Sequence, residues 1–119
     1  MTGVQTCALP IFHVSDLADG HVLALNRLLG GHGPLTLNLG TGQGSSVLDV
    51  IQACELCAGH PIPQRVVSGR AGDPPLLVAD ASRARATLGF VPSRSDLPTI
   101  VRDAYAALRK LPKLSKTAV

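Results

Sequence analysis

A small mixed α/β unit is the fold class the sequence predicts. Three observations point to it: four stretches with apolar residues at helical spacing, two or three short runs of strand length, and Gly or Pro between most of them. Ser15 and Asp16 offer N-cap chemistry for a first helix reaching about Leu29, with Leu17, His21, Leu25 and Leu28 on one face. Gly30, Gly31, Gly33 and Pro34 stop it. Leu35 to Leu39 reads as a short strand, and Gly40-Thr41-Gly42-Gln43-Gly44 as a tight turn. Ser46, three residues ahead of Asp49, has the spacing of a capping box for a second helix striped by Val47, Val50, Ile51, Cys54 and Ala58 and closed by Gly59. Ile62 to Val67 alternates like a strand, Ser68 to Pro75 reads as a loop, and Leu76 to Ala79 as a brief strand. Asp80 caps a short helix over Ala81 to Leu88, which Gly89 closes. A last helix starts near Ser95 or Asp96, accepts Pro98 in its first turn and buries Leu97, Val101, Tyr105 and Leu108.

Composition narrows the function classes. With 119 residues, 45% hydrophobic and 16% charged, the chain is expected to be globular and to form one domain. Phe12, Phe90 and Tyr105 are its only aromatics, which argues against base stacking on single-stranded nucleic acid. Part of the net charge of +3 comes from the cluster Arg109, Lys110, Lys113 and Lys116, and residues 111–119 are expected to form a basic flexible tail that binds neither nucleic acid nor membrane. No apolar run reaches the ~18 residues of a membrane span, and the N-terminus lacks the regions of a secretory signal. Three cysteines make no disulfide framework, so a cytoplasmic location is expected.

Met1 to Ile11 carries no folding pattern and resembles one reading frame of a widely used sequencing-library adapter, with Phe12 as the junction. Residues 1–12 are therefore expected to be a non-native leader in which Cys7 has no evolved role, and the native sequence is expected to begin mid-gene at His13.

From His13 on, five blocks occur in one order: His13-Val-Ser-Asp-Leu-Ala18, Asn38-Leu-Gly-Thr-Gly42, Ser46-Val-Leu-Asp49, Arg70-Ala-Gly-Asp73 and Ala79-Asp-Ala-Ser82. Their order and spacing resemble the C-terminal third of the UDP-glucose 4-epimerases, a branch of the extended short-chain dehydrogenase/reductase family. The resemblance covers about residues 13–110 and implies a UDP-sugar-binding region taken from a Rossmann-type NAD-binding enzyme. It implies that Arg70 meets the UDP diphosphate and Asp73 the uridine ribose. The chemistry suits both: a diphosphate needs a permanent cation with forked donors, and a ribose diol needs a two-oxygen acceptor. A local ion pair is the structural alternative, worth ~0–1 kcal/mol if exposed.

The same resemblance implies NAD in the full-length parent, UDP-sugar as its ligand, a homodimeric parent and a place in galactose metabolism. The family oxidises C4 of the sugar with NAD and returns hydride to the other face, using a Tyr-x-x-x-Lys pair. Two departures stand out. The aromatic residue that the family carries near Leu77 is missing, and adapter-like sequence stands where an Arg-Asp-Tyr stretch precedes His13. The chain also has no Tyr-x-x-x-Lys; its single tyrosine, Tyr105, is followed four residues on by Arg109. It is therefore expected to hold no cofactor and to be inactive alone. The competing readings are another NAD-dependent sugar-nucleotide epimerase or dehydratase, and a non-catalytic UDP-sugar-binding module.

Other motifs are expected to be structural. Gly40-Thr-Gly-Gln-Gly-Ser45 has Ser where a dinucleotide fingerprint has its third glycine, and no acidic residue follows at the required distance. Cys54-Glu-Leu-Cys57 falls mid-helix, away from the N-terminus that would activate a thiol. His13, His21, His32 and His60 are too scattered for a zinc site. Asp16 is read as a helix cap and not as a general base with His13.

Overall fold

The computed structural model describes residues 8–69, 71–72 and 74–111. Its elements are β1 (Ala8–Leu9), α1 (Val14–Leu29), β2 (Ser45–Ser46), α2 (Val47–Ala58), α3 (Ser82–Leu88) and α4 (Leu97–Lys110). The four helices fall where the apolar spacing puts them. Their starts differ in detail, because hydrogen bonds and not propensities set them.

His13, and not Ser15 or Asp16, caps α1: its ring Nδ1 accepts the Ser15 amide at 3.0 Å. Ser46 and Asp49 form the expected box on α2, with the Asp49 amide donating to Ser46 Oγ at 3.1 Å and the Ser46 amide to Asp49 Oδ2 at 2.8 Å. Gly59 closes α2 at φ 77°, a left-handed conformation that glycine adopts without strain. Ala81 is the N-cap residue of α3 and makes no side-chain cap; Asp80 instead accepts the Ser82 amide at 2.9 Å. Asp96 caps α4 through the Thr99 amide at 3.0 Å, with Pro98 in the first turn.

α2 packs on α4, and α1 lies beside α3. The buried apolar side chains are Phe90, Ala81, Ala84 and Val101, and Phe12 meets Phe90 edge-on with ring centroids 5.9 Å apart. Gly20 lets α1 come down on this cluster: a Cβ there would stand 2.6 Å from Leu39 Cδ1. The face of α1 that packs runs through Asp16, Gly20 and Ala24. The expected stripe is displaced from it by one residue, and Leu17, His21, Leu25 and Leu28 are exposed. Leu108, expected inside, is exposed as well.

The strands differ most from expectation. Leu35 to Leu39 keeps a period-two burial, with Leu35, Leu37 and Leu39 half-buried and Thr36 and Asn38 exposed, yet it joins no ladder among the described residues. Ile62 to Val67 is not a strand; Pro63 onward is exposed, and Ile62 is tied by its amide to Glu55 Oε1 at 2.9 Å. Leu76 makes a single bridge. A strand exists only through a partner's backbone, and alternation alone cannot supply one. The observed ladder is instead the antiparallel pair β1–β2, with Ala8 opposite Ser46 and Leu9 opposite Ser45. Part of the leader that shows no folding pattern thus docks on the start of α2.

Candidate functional site

Arg70 and Asp73, the two residues proposed from sequence to grip a nucleotide, lie outside the described residues. Between them Ala71 and Gly72 form an exposed turn, with Gly72 at φ 90°. That backbone conformation strains most residues other than glycine.

Two of the sequence blocks meet just beyond this loop. Gly40 is buried against Ala79, and a Cβ at position 40 would stand 2.9 Å from Ala79 Cβ. The glycine of Asn38-Leu-Gly-Thr-Gly42 is therefore required by close approach to Ala79-Asp-Ala-Ser82, as well as by the turn it begins. Thr41 and Gln43 close that turn, the Gln43 amide donating to Thr41 Oγ1 at 3.1 Å and the Thr41 hydroxyl to Gln43 O at 2.9 Å. A cleft of about 530 Å³ lies between this loop and the segment from Val91 to Ile100, with Arg85 and Ser45 among its polar walls.

The start of α2 does not fit a dinucleotide. A pyrophosphate needs free amides at a helix N-terminus. Here Asp49 already places a carboxylate there, and the hydrogen bonds from Ser46 hold its pKa below the ordinary value. An anion would meet like charge, so no NAD chemistry is routed through this loop.

His13 and Asp16 form the best-organised polar cluster, which ties the start of α1 to the approach of α4. Asp16, 1% exposed, accepts the Ser93 amide at 3.1 Å, the Arg94 amide at 2.9 Å and the Ser95 hydroxyl at 2.5 Å. Burial pushes its carboxyl upward, but the hydrogen bonds from Ser95, Arg94 and Ser93 and the nearby His13 outweigh it, and the net pKa lies below the ordinary value. The His13 amide donates to Ser95 Oγ at 3.0 Å. Because Nδ1 accepts from Ser15, the ring proton sits on Nε2, 3.3 Å from Asp103 Oδ2. Every polar atom of the cluster is engaged, and neither buried side chain opens on a cleft, so the pair is a staple and not an acid–base couple. Asp16 therefore does something other than the helix capping expected of it. Its partners lie 77 to 79 residues away and left no local signal.

The remaining candidates behave as structure. Cys54 and Cys57 are free, half-buried thiols within α2. Among the described residues no cluster of three or more His, Cys, Asp or Glu could hold a metal, and no helix is long and apolar enough to cross a membrane. Tyr105 carries the Arg109 guanidinium 5.8 Å above its ring, a cation–π contact.

No protein-family model matches the chain. Individual relatives do. The chain is 47% identical over 106 residues to the UDP-glucose 4-epimerase of Azospirillum brasilense, covering 89% of this chain and 30% of that protein. The structure of UDP-glucose 4-epimerase from Brucella ovis in complex with NAD superposes with a TM-score of 0.79 at 44% identity, over 82% of this chain and 30% of that one. The Stenotrophomonas maltophila enzyme, solved with NAD and formylated UDP-arabinopyranose, gives a TM-score of 0.81 at 45% identity, over 87% and 31% respectively. The chain thus spans about 30% of the length of the curated relatives it matches.

Proposed function

We propose that this relative of the UDP-glucose 4-epimerases is the UDP-sugar-gripping part of such an enzyme, acting on UDP-glucose and UDP-galactose in a full-length parent that also holds NAD. The likeness that carries the reading runs through nearly the whole chain yet matches only about 30% of each relative. In this reading Arg70 meets the diphosphate and Asp73 the ribose; the left-handed backbone at Gly72, between them in sequence, supports a tight turn there. Residues 1–12 stand outside the working protein, residues 13–110 are the UDP-sugar region and residues 111–119 are a tail. The parent is cytoplasmic and homodimeric. This chain alone has no turnover, because it carries neither the Tyr-x-x-x-Lys pair nor a helix start fit for the dinucleotide.

The test joins His13 to Lys110 onto the part of the Azospirillum brasilense relative outside its matched stretch. The chimera is expected to interconvert UDP-galactose and UDP-glucose, the Arg70→Ala chimera to lose at least about tenfold in kcat/KM, and the 119-residue chain to show no rate above background. A folded chimera that retains NAD but is inactive would sink the reading. So would turnover by the chain alone.

A further inference from the structure

Residues 8–12 carry no folding pattern in the sequence, yet they lie along the fold as a continuous strap. Ala8 and Leu9 pair antiparallel with Ser46 and Ser45 at the head of α2. The Ile11 amide then donates back to Leu9 O at 2.9 Å, a three-residue turn that swings the chain away from β2. Pro10, whose ring fixes φ near −65°, suits the centre of that turn. Beyond it Ile11 and Phe12 meet Leu39, Gly40 and Ala79 across a gap of only about 20 Å³. The Phe12 ring stands edge-on to Phe90, which is 1% exposed. The two ends of the strap are thus held differently. Leu9 and Pro10 are exposed, so the strand end is held by backbone. Ile11 and Phe12 are half-buried, so the core end is held by side chains.

We propose that the head of α2 and the surface around Phe90 form an acceptor for the extended segment that enters α1, and that Ala8 to Phe12 fill it in this chain. The acceptor reads backbone beside Ser45–Ser46 and an apolar ring at Phe90, so it takes a segment with no sequence pattern of its own. His13 makes this possible. It is 6% exposed, and its amide is tied to Ser95 Oγ at 3.0 Å, which delivers the side chain at position 12 to Phe90. Because the segment is joined to the fold at that anchor, its pairing is intramolecular, and two residues of ladder suffice. The filled acceptor also shapes the neighbouring cleft of about 530 Å³, since Ile11 is one of its walls. The segment takes no part in the proposed chemistry. The chimera that tests the epimerase reading omits residues 1–12, so the failure of either inference is seen separately.

Nuclear magnetic resonance of the full 119-residue chain, paired with thermal unfolding, tests the proposal. The chain should show proton contacts between positions 8–9 and 45–46, and between the rings of Phe12 and Phe90. Ala8→Ser with Leu9→Ser changes side chains alone. It should keep those contacts and hold Tm within about 3 °C. Ala8→Pro with Leu9→Pro removes both strand amides of the segment. It should abolish the contacts to positions 45–46 and lower Tm by about 5 °C. Phe12→Ala should lower Tm by about 10 °C, and Phe12→Leu should recover roughly half of that loss. A full chain without the 8–9 to 45–46 contacts, a serine pair that loses them, a proline pair that keeps them, or a Tm that Phe12→Ala leaves unchanged would each overturn the proposal.

Discussion

The start of α2 and the start of α1 are held in opposite ways. Ser46 and Asp49 bond each other across three residues, so the box belongs to α2 wherever that helix packs. At α1 the ties reach Ser93, Arg94, Ser95 and Asp103, between 77 and 90 residues along the chain. Nearest-neighbour chemistry defines an element, and distant bonds define an arrangement. The second kind serves many groups through one buried carboxylate, so removing it should unfold more of the molecule.

The largest effect is therefore expected at Asp16. Asp16→Ala removes a buried carboxylate that organises two amides and a hydroxyl and should cost about 3 kcal/mol, read as the shift in urea midpoint. The chain has few fully buried side chains, and a loss of that size should unfold much of it at room temperature. The same group predicts a pH dependence. Its folded pKa lies below the ordinary aspartate value, so its contribution is fully present above the unfolded value. That contribution is lost as pH falls through the folded value, so stability should drop below about pH 4. Asp16→Asn should flatten this acid limb. If Asp16→Ala costs no more than a surface change, long-range ties do not outrank local ones here.

A smaller cost should follow Gly40→Ala. The new methyl would meet Ala79 Cβ at 2.9 Å, and neither partner has a rotamer to yield, so the two loops must part at a cost of roughly 1–3 kcal/mol. Gly20→Ala is the control. It too meets a neighbour at short range, but that neighbour is the tip of Leu39, and helix propensity gains up to ~1 kcal/mol. Thermal unfolding of the two variants separates contact between backbones from contact with a flexible side chain.

The same contrast divides what could be read in the sequence from what could not. The α2 box, the Asp96 cap, the Gly59 and Gly89 stops and the rough extent of all four helices were legible, because each is set by residues within a turn of it. That Leu35 to Leu39 joins no ladder among the described residues was not, since the alternation survives while pairing depends on a strand elsewhere. Leu17 and Leu25 satisfied helical spacing but lie off the packed face, whose position is set by Gly20 and its fit to Leu39. At the site, the loop from Ser68 to Pro75 was legible, and Ala71 and Gly72 form a turn within it. The Asp16 staple was hidden, because an aspartate in a first turn is the ordinary mark of a helix start and its partners follow more than seventy residues later.

The smallest expected effect, at Ser46, sharpens the comparison from the local side. Ser46→Ala deletes the hydroxyl that receives the Asp49 amide but leaves the Asp49 carboxylate free to hold the Ser46 amide. Half the box survives, and water can reach the freed donor because Asp49 is exposed. The cost should be about 1 kcal/mol, seen as a lower urea midpoint with an unchanged slope. A double variant of Ser46→Ala with Asp16→Asn should be additive within about 0.5 kcal/mol if the two starts are independent. A larger departure would mean that β2, which abuts the cap and pairs with β1 only a few residues ahead of α1, couples the two ends that the hydrogen bonds keep apart.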